Sequence, residues 1–146
     1  MTGERAALLA LRVALAACFV SAVADRLGCW GAPGAPGVAW GAWAPFVAFT
    51  GTLNPRAPAV AVPVIAWVAT VAEVVIAIGL LAGWRLRWFA GASGVLLSAF
   101  ALAMACALGL KAPLDYSVVS AAAASFVLAS RASTSADRAL PGARDR

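Results

Sequence analysis

The chain contains no histidine, one tyrosine and only three cysteines in 146 residues. Without imidazole, Ser-His and Cys-His nucleophilic centres, His-ligated haem and imidazole metal sites are excluded. The cysteines, at 18, 29 and 106, form no Cys-x-x-Cys pair. The paired thiols of a thioredoxin-like relay and the thiolate sets of zinc or iron-sulfur centres are therefore absent. Charge is scarce too: charged residues make up 12% and hydrophobic residues 64%, against about 25% and roughly 45–50% in a soluble domain. Too little polar surface remains to cover a water-soluble globule of this size, so the excess apolar surface faces lipid.

What is present is long apolar runs. A transmembrane helix needs about 20 mostly apolar residues, and four stretches approach that: 6–28, 62–84, 88–110 and 113–130. They predict an all-α integral membrane four-helix bundle occupying residues 1–130, followed by a polar tail, 131–146, expected to be disordered. The run from Trp88 to Leu110 has no charge; the others carry Arg12, Asp25 and Arg26, then Glu73, then Asp115. The fourth run is the shortest and counts Pro113 as its first-turn proline.

Basic residues set the expected orientation. Arg5, Arg12, Arg85, Arg87, Arg131, Arg138, Arg144 and Arg146 fall on one side, and Arg26, Arg56 and Lys111 on the other. The positive-inside rule then places both termini in the cytoplasm of a bacterial plasma (inner) membrane. Arg12 lies within snorkelling reach of the cytoplasmic headgroups. The first 24 residues also imitate a cleavable signal peptide ending at Ala22-x-Ala24, but Arg12 interrupts its apolar region. The net charge of +5 follows from topology and does not indicate nucleic acid, since no basic-aromatic motif accompanies it.

The outer segment 29–59 is rich in proline and glycine and should be irregular in its first half. From Trp40 to Leu53 aromatic residues recur at near-helical spacing, and Pro45 restricts the start of any helix there. A short interfacial helix is expected, either as a cap in the headgroup layer or as a lid over a lipid-facing pocket. The cluster Thr50-Gly-Thr-Leu-Asn-Pro55 suits turns and caps.

Glu73 is the most informative residue, lying near the middle of the second run, where a carboxylate must be paired or protonated. Ala66, Thr70, Glu73 and Ala77 share one helical face and should turn inward, while Val68, Val71, Val75, Ile78 and Ala82 turn away. Cys18, Ala22, Asp25 and Cys29 form a second stripe, which makes Asp25 the other inward candidate. Lys111, Asp115 and Tyr116 cluster at the outer turn, at the expected level of Asp25 and Arg26. Two readings stay open. Either the charges neutralise one another, Asp25 with Lys111 or Arg26 with Asp115 and Glu73 bonded to Thr70, or they line a polar-bottomed cavity that binds a ligand or handles protons. Small-residue stripes at Gly79 and Gly83, at Ala90, Gly94 and Ser98, and at Ser117, Ala121 and Ser125 predict close helix contacts within the bundle or a homodimer.

Several segments together resemble the DoxX family of small four-helix membrane proteins: Ala24-Asp-Arg-Leu27, the Trp-rich outer segment leading to Pro55, Trp67 to Glu73 and, most specifically, Phe100-Ala-Leu-Ala-Met-Ala-Cys-Ala-Leu-Gly-Leu-Lys-Ala-Pro-Leu-Asp-Tyr-Ser117. The resemblance implies a redox accessory role, either as a quinone-binding component or as the membrane anchor of an oxidoreductase partner. It supplies no catalytic motif, so Asp25, Arg26, Glu73, Lys111, Asp115 and Tyr116 are candidates on physical grounds. The alternative expectation is a non-enzymatic scaffold or small-molecule transporter. With no cofactor ligands in the chain, any redox group is expected to be a membrane quinone or to belong to a partner.

Overall fold

The structure is a computed structural model that describes residues 3–138, with side chains placed through residue 132. The described residues are helical and turn, with six α-helices: α1 (Gly3–Arg26), α2 (Trp43–Leu53), α3 (Val62–Ala82), α4 (Leu86–Leu108), α5 (Lys111–Asp115) and α6 (Val118–Arg138). A single 3-10 turn, Ala59–Ala61, leads into α3. Among the described residues, three helical segments are long and apolar enough to cross a membrane: Gly3–Arg26, Ala59–Ala82 and Leu86–Leu108. Val118–Ala132 is apolar but shorter.

Helix ends follow local chemistry. Gly28 and Gly83 adopt left-handed φ values of 77° and 70°, which glycine accepts without a Cβ penalty, and each stops the helix before it. At Gly83 the backbone N–H returns to the Gly79 carbonyl. Pro63 stands in the first turn of α3, where its missing N–H leaves no broken bond. Pro45 stands likewise in the first turn of α2, so the helix expected between Trp40 and Leu53 begins at Trp43.

α1 packs chiefly on α3 and α4 chiefly on α6, with α3–α4 and α1–α6 contacts closing the bundle. The core joins Leu15, Ala16 and Phe19 of α1 to Ile76, Ala77 and Leu80 of α3, with Ala90 and Leu128. Small residues admit aromatic rings between helices. A Cβ on Gly79 would run into the Phe89 ring, and one on Gly94 would meet the Phe126 ring. Ser93 and Ser125 are joined at 2.8 Å across the α4–α6 contact. Gly79, Gly94, Ser93 and Ser125 thus serve contacts within the chain. The outside is apolar: Val64, Val68, Val71, Val75 and Ile78 of α3 and Val95 and Leu102 of α4 are exposed, as lipid-facing helices require.

One displacement positions everything that follows. Arg12 donates to the Leu81 carbonyl, and Arg26 reaches Thr70 and Glu73, so α1 runs antiparallel to α3 and ends level with the middle of α3. The first two turns of α3, about 11 Å at 1.5 Å per residue, extend past α1. α2 packs there, against α3 and α4, with Trp43 stacked on Trp67 at 4.4 Å.

Two expected boundaries shift. The fourth run does not start as a helix at Pro113, because Pro113 belongs to the short α5 and Ser117 takes a left-handed φ of 55° that breaks the chain before Val118. At the other end α6 continues to Arg138, so the tail expected to be disordered from Arg131 begins as helix. Its remainder, 139–146, lies outside the described residues.

Candidate functional site

The site begins at the last residue of α1. Arg26 is 3% exposed and Glu73 2% exposed, so an apolar bundle holds a guanidinium and a carboxylate away from water. Such groups persist only when paired and hydrogen-bonded. Arg26 Nη2 donates to Glu73 Oε1 at 2.9 Å, and Nη1 lies 2.5 Å from Glu73 Oε2. Nη1 also donates to Thr70 Oγ1 at 2.7 Å, and the Thr70 hydroxyl donates in turn to the Ala66 carbonyl at 2.9 Å. The guanidinium thus makes one hydrogen bond and one close ionic contact to the carboxylate, whose Oε2 has no hydrogen-bond donor of its own.

Aromatic rings from the outer segment close the pair from above. The Arg26 guanidinium carbon lies 3.8 Å from the Phe46 ring centroid and 5.3 Å from that of Trp40. Both contacts fall within the range at which a ring face attracts a cation. Trp40 and Phe46 meet edge to face at 5.2 Å. α2 is positioned by packing on α3 and α4, and within it Thr50 Oγ1 donates to the Phe46 carbonyl while Asn54 Nδ2 donates to the Thr50 carbonyl at its end. Asn54 is therefore a helix cap.

Asp25, the neighbour of Arg26, points elsewhere. Its Oδ2 accepts the Trp40 backbone N–H at 2.8 Å, which ties the end of α1 to the outer segment. Its Oδ1 is buried without a hydrogen-bond partner, as is Arg26 Nε.

Two grooves flank these residues. One, of about 340 Å³, has Val23, Leu27, Trp43, Trp67, Val71 and Val75 as walls, with Arg26 and Thr70 at its floor. The other, of about 540 Å³, runs along α1 beside Asp25 under Trp30 and Trp40.

The inward face expected on α3 is the buried one, with Ala66, Thr70, Glu73 and Ala77 enclosed and Val68, Val71, Val75 and Ile78 outside. The expected partners differ. Of the two open readings, the neutralising one has Asp25 with Lys111 or Arg26 with Asp115 and Glu73 on a hydroxyl such as Thr70; instead Glu73 pairs with Arg26, because the displacement of α1 brings Arg26 to the level of Glu73. Lys111 and Asp115 pair with each other one turn apart on the exposed α5, and Tyr116 is 75% exposed. None of these three joins Asp25, Arg26 and Glu73, so the expected common mouth is not assembled. The second stripe is also corrected: Cys18 and Cys29 are exposed, because Leu15, Ala16 and Phe19 form the α1 face toward α3. Asp25 of that stripe is buried as expected, with the Trp40 amide on its Oδ2. All three cysteines are free thiols. Sequence reasoning missed Trp40 and Phe46 as the cover over Arg26; the signal available was their spacing ahead of and within a short aromatic helix.

No protein-family model, curated protein or solved structure matches the chain.

Proposed function

We propose that this is a DoxX-like membrane protein that binds a quinone, or a similar ring-shaped lipophile bearing a carbonyl, in the groove above Arg26 and serves as an accessory component of a membrane oxidoreductase. The observation that carries this reading is the buried Arg26, paired with Glu73 behind it, at the floor of an otherwise apolar groove. Ionisable groups placed among lipid-facing helices are costly, and they mark ligand or proton sites more often than structural ones. Three features support it. The groove is of ligand size, since pockets for small molecules start at about 300 Å³. Trp43 and Trp67 give it aromatic walls suited to a flat ring. Arg26 Nε is a buried donor with no acceptor, which a carbonyl oxygen would satisfy.

A quinone supplies two-electron redox chemistry when bound. The residues of this chain orient its ring and bond its oxygen, with Glu73 holding the guanidinium in place. The same reading has four transmembrane spans, α6 completing the set, in a bacterial inner membrane with both termini cytoplasmic. The orientation rests on the distribution of arginine and lysine. The scaffold or transporter alternative has no specific observation in its favour.

The test is extraction of the protein in mild detergent, with mass spectrometry and redox difference spectra of the lipophiles that accompany it. A stoichiometric quinone in wild type, lost in Glu73→Gln with the fold intact, is the expected result. Clean protein carrying bulk lipid alone, or equal quinone in both forms, overturns the proposal.

A further inference from the structure

The groove on the other side of α1 answers to different chemistry. Asp25 is 6% exposed, and one of its two oxygens, Oδ1, is buried with no hydrogen-bond donor. Fastening the outer segment uses only Oδ2, through the Trp40 amide, so that role leaves Oδ1 unexplained. The local charges do not balance either. Three ionisable side chains lie buried together here, two carboxylates and one guanidinium. Both terminal nitrogens of Arg26 are engaged by Glu73 and Thr70. Among the described residues, no lysine or arginine nitrogen forms an ion pair with Asp25. Glu73 Oε2 also lacks a hydrogen-bond donor but has the Arg26 cation beside it, whereas Asp25 Oδ1 has neither donor nor cation.

The shape beside it is specific. The groove is lined from Asp25 down α1 through Ala22, Ser21 and Cys18 to Ala17, eight residues or about 12 Å along the helix. Trp30 forms one wall and is fixed across it by donating its indole N–H to the Ser21 carbonyl at 3.1 Å. A carboxylate at the loop end and a trough of small residues running toward the mid-membrane part of α1 match an amphiphile whose cationic head meets the acid and whose chain follows the helix.

We infer that Asp25 and this trough bind an ammonium-headed lipid, with the ammonium on Asp25 Oδ1 and an acyl chain along Ala22, Cys18 and Ala17. The inference rests on the membrane reading above but not on the quinone groove, which lies against α3.

The probe is phosphatidylethanolamine. Wild type, Asp25→Asn and Cys18→Phe are reconstituted in nanodiscs with equal parts of phosphatidylethanolamine and phosphatidylglycerol, exchanged into detergent and analysed by native mass spectrometry. Asparagine still accepts the Trp40 amide, so the loop anchor survives. Cys18 is exposed, so phenylalanine there blocks the trough and leaves Asp25 untouched. Wild type is expected to retain phosphatidylethanolamine in preference to phosphatidylglycerol; Asp25→Asn should lose about tenfold of that retention, the worth of one charge-assisted hydrogen bond, and Cys18→Phe should lose it by filling the trough. Equal retention of the two lipids by wild type, or undiminished phosphatidylethanolamine in either folded variant, overturns the assignment. Quinone content of the same samples reads the other groove separately, so failure of one proposal is distinguishable from failure of the other.

Discussion

Arg26 and Glu73 face each other across the α1–α3 contact with two nitrogens on two oxygens, at 2.9 and 2.5 Å, although 47 residues separate them in the chain. The pair exists because α1 stops two turns short of the start of α3, so its terminal arginine looks into the middle of its neighbour. The outer segment then covers the guanidinium with Phe46 and Trp40.

Removing one partner of this pair leaves a buried charge without compensation. Arg26→Met and Glu73→Met should each destabilise the protein by about 3–5 kcal/mol, whereas the double change to Met at both positions recovers most of the loss. Thermal unfolding of the four proteins in one detergent gives the coupling by a double-mutant cycle. Additive effects would show that the two residues do not depend on each other.

Gly79 admits the Phe89 ring to the α3–α4 contact. Gly79→Val should cost about 1–3 kcal/mol through forced displacement of that ring, and Phe89→Ala in the same chain should relieve part of it. The midpoint of thermal unfolding checks both, and a Gly79→Val protein as stable as wild type contradicts the packing.

Ser125 has one hydroxyl proton and donates it to the Ala121 carbonyl at 2.8 Å. In the Ser93–Ser125 bond the donor is therefore Ser93. Ser125→Ala removes Ser93's acceptor and should cost about 0.6–1.7 kcal/mol, the range for hydrogen bonds between membrane helices, while the double alanine variant is closer to wild type. Hydrogen exchange along α4 and α6, with unfolding midpoints, reads the difference.

Arg12 serves the opposite end of α3. Its Nη2 donates to the Leu81 carbonyl at 3.4 Å, a cation placed at the negative end of a helix. Arg12→Ala should lower stability by about 1 kcal/mol, and Arg12→Lys should recover much of it. Arg12→Ala without effect on the unfolding midpoint would mean that the contact is incidental.

The buried face of α3 was legible because helical spacing sorts Ala66, Thr70, Glu73 and Ala77 from the valines. The short aromatic helix was legible from Trp43, Phe46 and Pro45. The partner of Glu73 was not, since periodicity fixes which way a side chain points around its own helix but not how far one helix slides along another. Matching run lengths put Arg26 at the membrane surface beside Lys111 and Asp115, and the slide of α1 moved it inward. The break before Val118 was hidden for another reason: Ser117 adopts a left-handed backbone, which serine rarely does, and no glycine or asparagine announces it. The cover of Trp40 and Phe46 over Arg26 depends on the path of an irregular segment, which composition describes only as loop.

The proposed site places a ring-shaped lipophile against Trp43, Trp67 and Val71 beside Arg26. Photolabelling of the reconstituted protein with a short-chain azidoquinone, followed by peptide mapping, tests it most directly. Labels confined to the peptides carrying Trp43 and residues 67–75, competed away by unlabelled quinone and abolished in folded Arg26→Lys, are the predicted result. Labels spread over the outer apolar surfaces of α3 and α4, insensitive to competitor and to Arg26→Lys, would contradict it.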